Sequence, residues 1–210
     1  MLNRFTRPVL VAVALVLLLG VAAAALTAAE RRTSVRTPLV PPTALPGELT
    51  GPAPWPRNVG ELRARLDALQ LPALAQEGTV LHIHQHLDVF VNGSRVVVPA
   101  GIGIDAAERF ISPLHTHDAG GVIHVESPTV RVFTLGQLFG VWGVRFTRAC
   151  LGGYCVAGPR RLRVYVDGAL VPGDPRRLLL DAHQEIVVAF GTRAQLPRPI
   201  PSSYDFPPGL

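Results

Sequence analysis

Lysine is absent from this chain, and all twenty basic residues are arginine. The net charge of +5 is spread along the sequence, with no basic patch interleaved with aromatics and no nucleic-acid motif. That pattern argues against nucleic acid as a partner. The only methionine is the initiator, so methionine-rich copper(I) sites are excluded for want of thioether ligands. There is no nucleophile elbow, phosphate loop or zinc-protease helix motif. Cysteine is limited to Cys150 and Cys155, in CLGGYC. An even, closely spaced pair suits a disulfide in an oxidising compartment, and once oxidised it leaves no thiolate for a metal.

Apolar residues are plentiful. The 48% hydrophobic content of 210 residues gives one domain with a substantial core and argues against disorder. Residues 8–29, PVLVAVALVLLLGVAAAALTAA, form an uncharged run of 22, long enough to cross a bilayer as a helix. Arg4 and Arg7 precede it, and Arg31, Arg32 and Arg36 follow, so counting positive charges does not fix the orientation. The paired cysteines and the signal-like character of the run lean towards an exported C-terminal domain. The expected organisation is a cytoplasmic N-terminus at 1–7, an uncleaved single-pass signal anchor at 8–29 and a proline-rich spacer at 30–57. A histidine-rich extracytoplasmic domain at 58–191 and a proline-rich tail at 192–210 follow. Tyr204 and Phe206 are the tail's candidate anchors.

The domain reads as α+β, mostly β: a compact, hairpin-rich sheet with one or two short helices. Asn58 and Glu61 have capping-box spacing before Leu62, Leu66 and Leu69, and Pro72 should stop that helix at or just before Leu71. LHIHQHLDVFV alternates strictly, with Leu81, Ile83, Leu87, Val89 and Val91 on one face, broken only by Gln85. Asn92-Gly93 predicts a hairpin back through RVVVP. Asp118 to Gly121 predicts a second turn, which sets His115 opposite His124 and His117 opposite Val122. Thr134 and Gln137 form a capping box for a helix with the stripe Leu135, Leu138, Phe139, Trp142, ended by Gly143. LRVYVDGALV echoes LDVFVNGSRV, through shared hairpin chemistry, and EIVVAFG is a final strand.

The histidines carry the functional signal. Six of the seven fall between His82 and His124, and His183 stands before the last strand. His82, His84 and His86 share a strand face with Asp88; His115 and His117 form a second pair, and His124 lies two residues from Glu126. Residues two apart on a strand lie about 6.5 Å apart on one face, so two imidazoles can converge on one ion and a neighbouring strand can add a third. His82 and His86, about 13 Å apart on a straight strand, cannot both do so. One of them should therefore support the ligands from behind, or there are two sites. The expected ligands are His82, His84, His86, His115, His117 and His124, with His84, His115 and His124 foremost. Asp88, Asp118, Glu126 and His183 are the weaker or supporting candidates. Imidazole and carboxylate donors suit copper(II), zinc, nickel or non-haem iron, and an extracytoplasmic location favours copper or zinc.

The strings HIHQHLDVFVNG, PAGIGI, LHTHDAGGVIHVESP, FTLGQLFGVWGV, AHQEIVVAFG and YDFPPGL, in that order across residues 80–210, resemble an uncharacterised family of membrane-anchored, histidine-rich extracytoplasmic proteins of bacteria and archaea. The resemblance implies that all seven histidines belong to the family pattern, and it supplies no activity. The strand–helix–strand order after residue 121 also resembles a β-grasp domain. The leading functional reading is a module that binds a divalent metal for handling or sensing. The competing readings are a metal-dependent hydrolase or oxidoreductase, an interaction module whose histidine face meets another membrane protein, and a pH sensor built on clustered imidazoles.

Overall fold

The computed structural model describes residues 40–42 and 44–210. The anchor expected at 8–29 lies outside the described residues, among which no helix is long and apolar enough to cross a membrane. The described chain is mostly β. In chain order it runs α1 (Leu62–Ala68), β1 (Leu81–Val91), β2 (Ser94–Val96), β3 (Ile104–Asp105), β4 (Phe110–Ile111), β5 (Leu114–His115) and β6 (Val122–Ser127). Then come α2 (Leu135–Trp142), β7 (Cys150–Leu151), β8 (Tyr154–Cys155), β9 (Arg161–Val166), β10 (Ala169–Leu170) and β11 (Glu185–Gly191).

The main sheet has the order β10-β9-β11-β1-β6-β5, with β2 also paired to β1. At its centre β1 and β11 run parallel, Leu87 opposite Ile186 and Val89 opposite Val188. Period-two alternation sorts the faces. Leu87, Val89, Ile123, Val125, Ile186 and Val188 enter one core with Leu135, Leu138, Phe139 and Trp142 of α2. The opposite face carries the histidines at one end. Further along it holds a smaller cluster of Tyr165, Val187 and Ala189, covered by Leu196 and Ile200 of the tail.

The predicted turns form as expected. Asn92 and Gly93 both have positive φ, as do Asp167 and Gly168 in the echoing hairpin, and that twist matches the flanking strands. α2 begins with the predicted capping box, Thr134 Oγ1 accepting from the Gln137 N–H and Gln137 Oε1 accepting from the Thr134 N–H. Gly143 ends it in the left-handed conformation. Every residue of α2 is buried. A β-carbon at Gly140 would come within 2.8 Å of Leu45 and 2.9 Å of Leu69, so glycine there admits chain from the other side.

Three expectations change. The Asn58–Glu61 capping box does not form: Glu61 is itself left-handed and provides no side-chain cap, while Asn58 Nδ2 donates to the Gly47 carbonyl. α1 also stops at Ala68, short of Pro72. Gln70 takes φ 55 there, the Gln70 N–H donates to the Asp67 carbonyl and the Leu71 N–H to the Leu66 carbonyl, an end motif usually built on glycine. The described part of the stretch expected as a spacer lies against the domain, because it carries apolar anchors. Trp55 is buried and packs edge-on to Trp142, and Leu45 and Leu49 join the same core. The buried Arg65 guanidinium fastens this segment by donating to the carbonyls of Pro46, Asn58 and Gly60 and, from α2, Val141. The Cys150–Cys155 disulfide closes the small β7–β8 hairpin.

Gln85, the polar break in the core face of β1, is fully buried, and neither side-chain polar atom has a hydrogen-bond partner among the described residues. An unpaired buried amide costs about 1–3 kcal/mol. Gln85→Leu is therefore expected to raise the stability of the domain by about 1 kcal/mol in denaturant titration. A loss of stability would contradict this account of the position.

Candidate metal centre

Three adjacent strands assemble the histidine cluster. β6 pairs with β5 on one side and β1 on the other, so His124 faces His115 across one ladder and His84 across the next. In the same register His82 faces Glu126. The predicted His115–His124 pairing is present. His117 lies beyond the end of that ladder, and Val122 pairs with His86 of β1 instead. Because side chains alternate, His82, His84, His124 and Glu126 rise from the same face.

Their donor atoms converge. His82 Nε2 lies 3.2 Å from His84 Nε2, which lies 3.1 Å from His124 Nδ1. His124 Nδ1 lies 3.1 Å from Glu126 Oε1, and Glu126 Oε1 lies 3.2 Å from His82 Nε2, completing a ring of four contacts. A second group adjoins it, with His115 Nε2 3.2 Å from His117 Nε2 and 4.0 Å from Glu126 Oε1. His117 Nε2 in turn lies 3.3 Å from Glu77 Oε1. In each of the sets His82–His84–His124–Glu126 and His115–His117–His124–Glu126, four donor atoms lie within 4.8 Å of one another. His115 Nδ1 donates to the Ser112 carbonyl at 3.0 Å, which fixes the tautomer and leaves the Nε2 lone pair facing the cluster. His84, His115, His124 and Glu126 are buried, whereas the side chains of His82 and His117 are 52% and 45% exposed. The centre thus opens to solvent on one side. Glu77, at that edge, also lines a groove of about 380 Å³ with Arg109 and Phe110.

The remaining expected residues stand apart. His86 belongs to a separate buried group with Asp88 and Glu185. Its Nε2 donates to the Gly120 carbonyl at 3.0 Å and its Nδ1 meets Glu185 Oε2 at 2.6 Å, so both ring nitrogens are engaged. Tyr204 of the tail stacks on the same imidazole at 3.9 Å. Asp88 is paired with Arg95 at 2.6 Å. Gly121, with φ 91, lets the turn approach this ring: a β-carbon there would sit 2.9 Å from His86 Nε2. Asp118 serves the turn, its Oδ1 accepting from the Gly120 N–H at 2.7 Å. His183 donates its backbone N–H to the His84 carbonyl, while its ring meets Phe206 and Leu210 of the tail. Glu77 and Glu185 escape the sequence reading. Glu77 sits in a loop without periodicity, and Glu185 meets His86 only through the long-range parallel pairing of β11 with β1.

Burial and the neighbouring imidazoles lower the pKa of His84 and His124 to about 4, and that of His115 to about 3. Burial, reinforced by the Glu77 carboxylate, raises that of Glu126. Burial also raises that of Glu185, opposed by the contact with His86. The imidazoles are therefore held neutral, the form in which they can donate to a metal. In the unfolded chain they protonate near the ordinary value of 6.5. Between about 6.5 and 4 the unfolded chain binds more protons than the folded domain, so stability falls with falling pH. The raised carboxyls of Glu126 and Glu185 act in the opposite sense and reduce the loss. The thermal midpoint of metal-free protein is expected to fall steadily from pH 7 to pH 5, each of the three histidines contributing a slope of up to about 1.4 kcal/mol per pH unit. A midpoint that stays level or rises would contradict the burial account. Comparison of the chain with protein-family models, with curated proteins and with solved structures finds no match.

Proposed function

We propose that this protein binds a divalent transition ion, zinc or copper in preference, through His82, His84, His124 and Glu126, and that it handles or senses that metal outside the cytoplasmic membrane. The ring of four donor contacts at 3.1–3.2 Å carries the reading. Ligands at 2.0–2.1 Å from a tetrahedral ion lie about 3.3–3.4 Å from one another, close to the spacing of these four neighbouring pairs, and the remaining pairs lie within 4.8 Å. Hydrogen bonding explains the ring less well. An imidazole nitrogen either donates or accepts, so the ring closes only if two N–H groups are each split between two acceptors. One cation satisfies all four lone pairs together.

The surroundings support the same reading. Imidazole and carboxylate donors suit zinc and copper(II), and the disulfide takes both thiols out of competition. The disulfide also fits an oxidising compartment, and the anchor expected at 8–29 would tether the domain there. The resemblance to the membrane-anchored, histidine-rich family rests on the motifs quoted above. The order β6, α2 and the strands that follow supports a β-grasp-like reading of the part after residue 121.

The test is elemental analysis of the full-length chain, solubilised in mild detergent, purified without a histidine tag and exposed in turn to zinc, copper, nickel and iron. The wild type is expected to retain at least one equivalent of zinc or copper through gel filtration. A His84→Ala, His115→Ala, His124→Ala variant should lose it while keeping its circular dichroism. The affinity loss should exceed the 10–100-fold typical of removing a supporting group. Wild-type protein that retains no ion would overturn the reading and leave the histidine face as a contact surface for another protein.

A further inference from the structure

The seven donor residues of the cluster, Glu126 among them, exceed what one ion can use. A tetrahedral zinc takes four ligands. His82, His84, His124 and one oxygen of Glu126 already fill such a set. That leaves His115, His117 and Glu77, whose donor atoms form a second chain of contacts at 3.2 and 3.3 Å beside the same carboxylate, with His115 Nε2 4.0 Å from Glu126 Oε1. The tautomer of His115 is fixed with its lone pair turned towards His117, although nothing in the first group uses that lone pair. Glu126 is the shared element. Its Oε1 meets the first group and lies 4.0 Å from His115 Nε2 of the second, while its Oε2 is buried and has no hydrogen-bond partner among the described residues. A carboxylate can bridge two cations with one oxygen on each.

We infer that the centre is dinuclear: a second divalent transition ion is held by His115, His117 and Glu77, and Glu126 bridges it to the first. The inference rests on the metal-binding reading above and extends it. One ion has three imidazoles and the bridge; the other has two imidazoles, a terminal carboxylate and the bridge. The two sites differ in exposure. The first has one half-exposed ligand, His82, and the second has two, His117 and Glu77, while His84, His124 and His115 are buried. The second ion is therefore the exchangeable one. Carboxylate-bridged ions in such pairs lie about 3.5–4 Å apart.

The test compares the full-length wild type with a Glu77→Gln, His117→Ala double variant, both loaded with zinc alone and gel-filtered. Both altered positions are at the surface, so the variant is expected to keep the wild-type circular dichroism. The wild type should carry two zinc ions per chain and the variant one, which a further His84→Ala substitution should remove. One ion per wild-type chain would overturn the dinuclear inference and leave the single-site reading standing, while no ion would overturn both. Two ions retained by the variant would show that the second site lies elsewhere. Loading with copper(II) tests the bridge. Electron paramagnetic resonance of the wild type should show a magnetically coupled pair, and that of the variant one isolated copper. Two uncoupled coppers in the wild type would overturn the shared Glu126.

Discussion

The register of three strands governs the site. β1, β6 and β5 lie side by side so that His84, His124 and His115 form one row across two antiparallel ladders, with His82 and Glu126 in the neighbouring row. Directly opposed residues bring their β-carbons to about 5 Å, close enough for imidazole nitrogens to meet. A slip of one residue in either ladder would turn a whole set of donors into the core. The hydrophobic face prevents the slip. Ile123 and Val125 of β6, and Leu87 and Val89 of β1, must face α2, and that requirement holds the histidines on the other side.

The same arrangement concentrates polar groups that a sheet face would ordinarily keep apart. His84, His124 and Glu126 are buried and linked by contacts of 3.1 Å, buried His115 stands 4.0 Å from the same carboxyl, and burial favours the neutral forms of all four. Such a cluster is unfavourable unless something satisfies it. The nearby His86–Glu185 pair shows the alternative. There a short hydrogen bond, a backbone carbonyl and a stacked tyrosine account for the imidazole completely. Tyr204 and Phe206 fasten the tail beside the cluster, while Leu196 and Ile200 cover the rest of the face. The centre is thus framed by the tail on one side and by Glu77 on the other.

Local signals made much of this legible in the sequence. Strict alternation identified β1, two Asx-Gly turns identified the hairpins, the Thr134–Gln137 box identified α2, and turn length set His115 opposite His124. Contacts between distant segments were not legible. The pairing of β6 with β1 joins residues some forty positions apart, and nothing local states which of its two edges β6 offers to β1. That pairing, more than the HxHxH spacing, separates His86 from His82 and His84. Glu77 comes from an aperiodic loop, and Glu185 reaches His86 only through the closing parallel strand. The end of α1 was misread because its left-handed residue is Gln70, where sequence rules look for glycine or asparagine. The described part of the proline-rich stretch before α1 looked like linker by composition, yet Trp55 buries it.

The central claim is that the imidazoles of His82, His84 and His124, on the paired strands β1 and β6, hold a metal ion together with Glu126. X-ray absorption spectroscopy of the zinc-loaded, full-length chain tests it most directly. The account calls for a first shell of nitrogen and oxygen at about 2.0–2.1 Å, with the multiple-scattering pattern of several imidazoles and no sulfur near 2.3 Å. A shell of oxygen alone, or one containing sulfur, would contradict it.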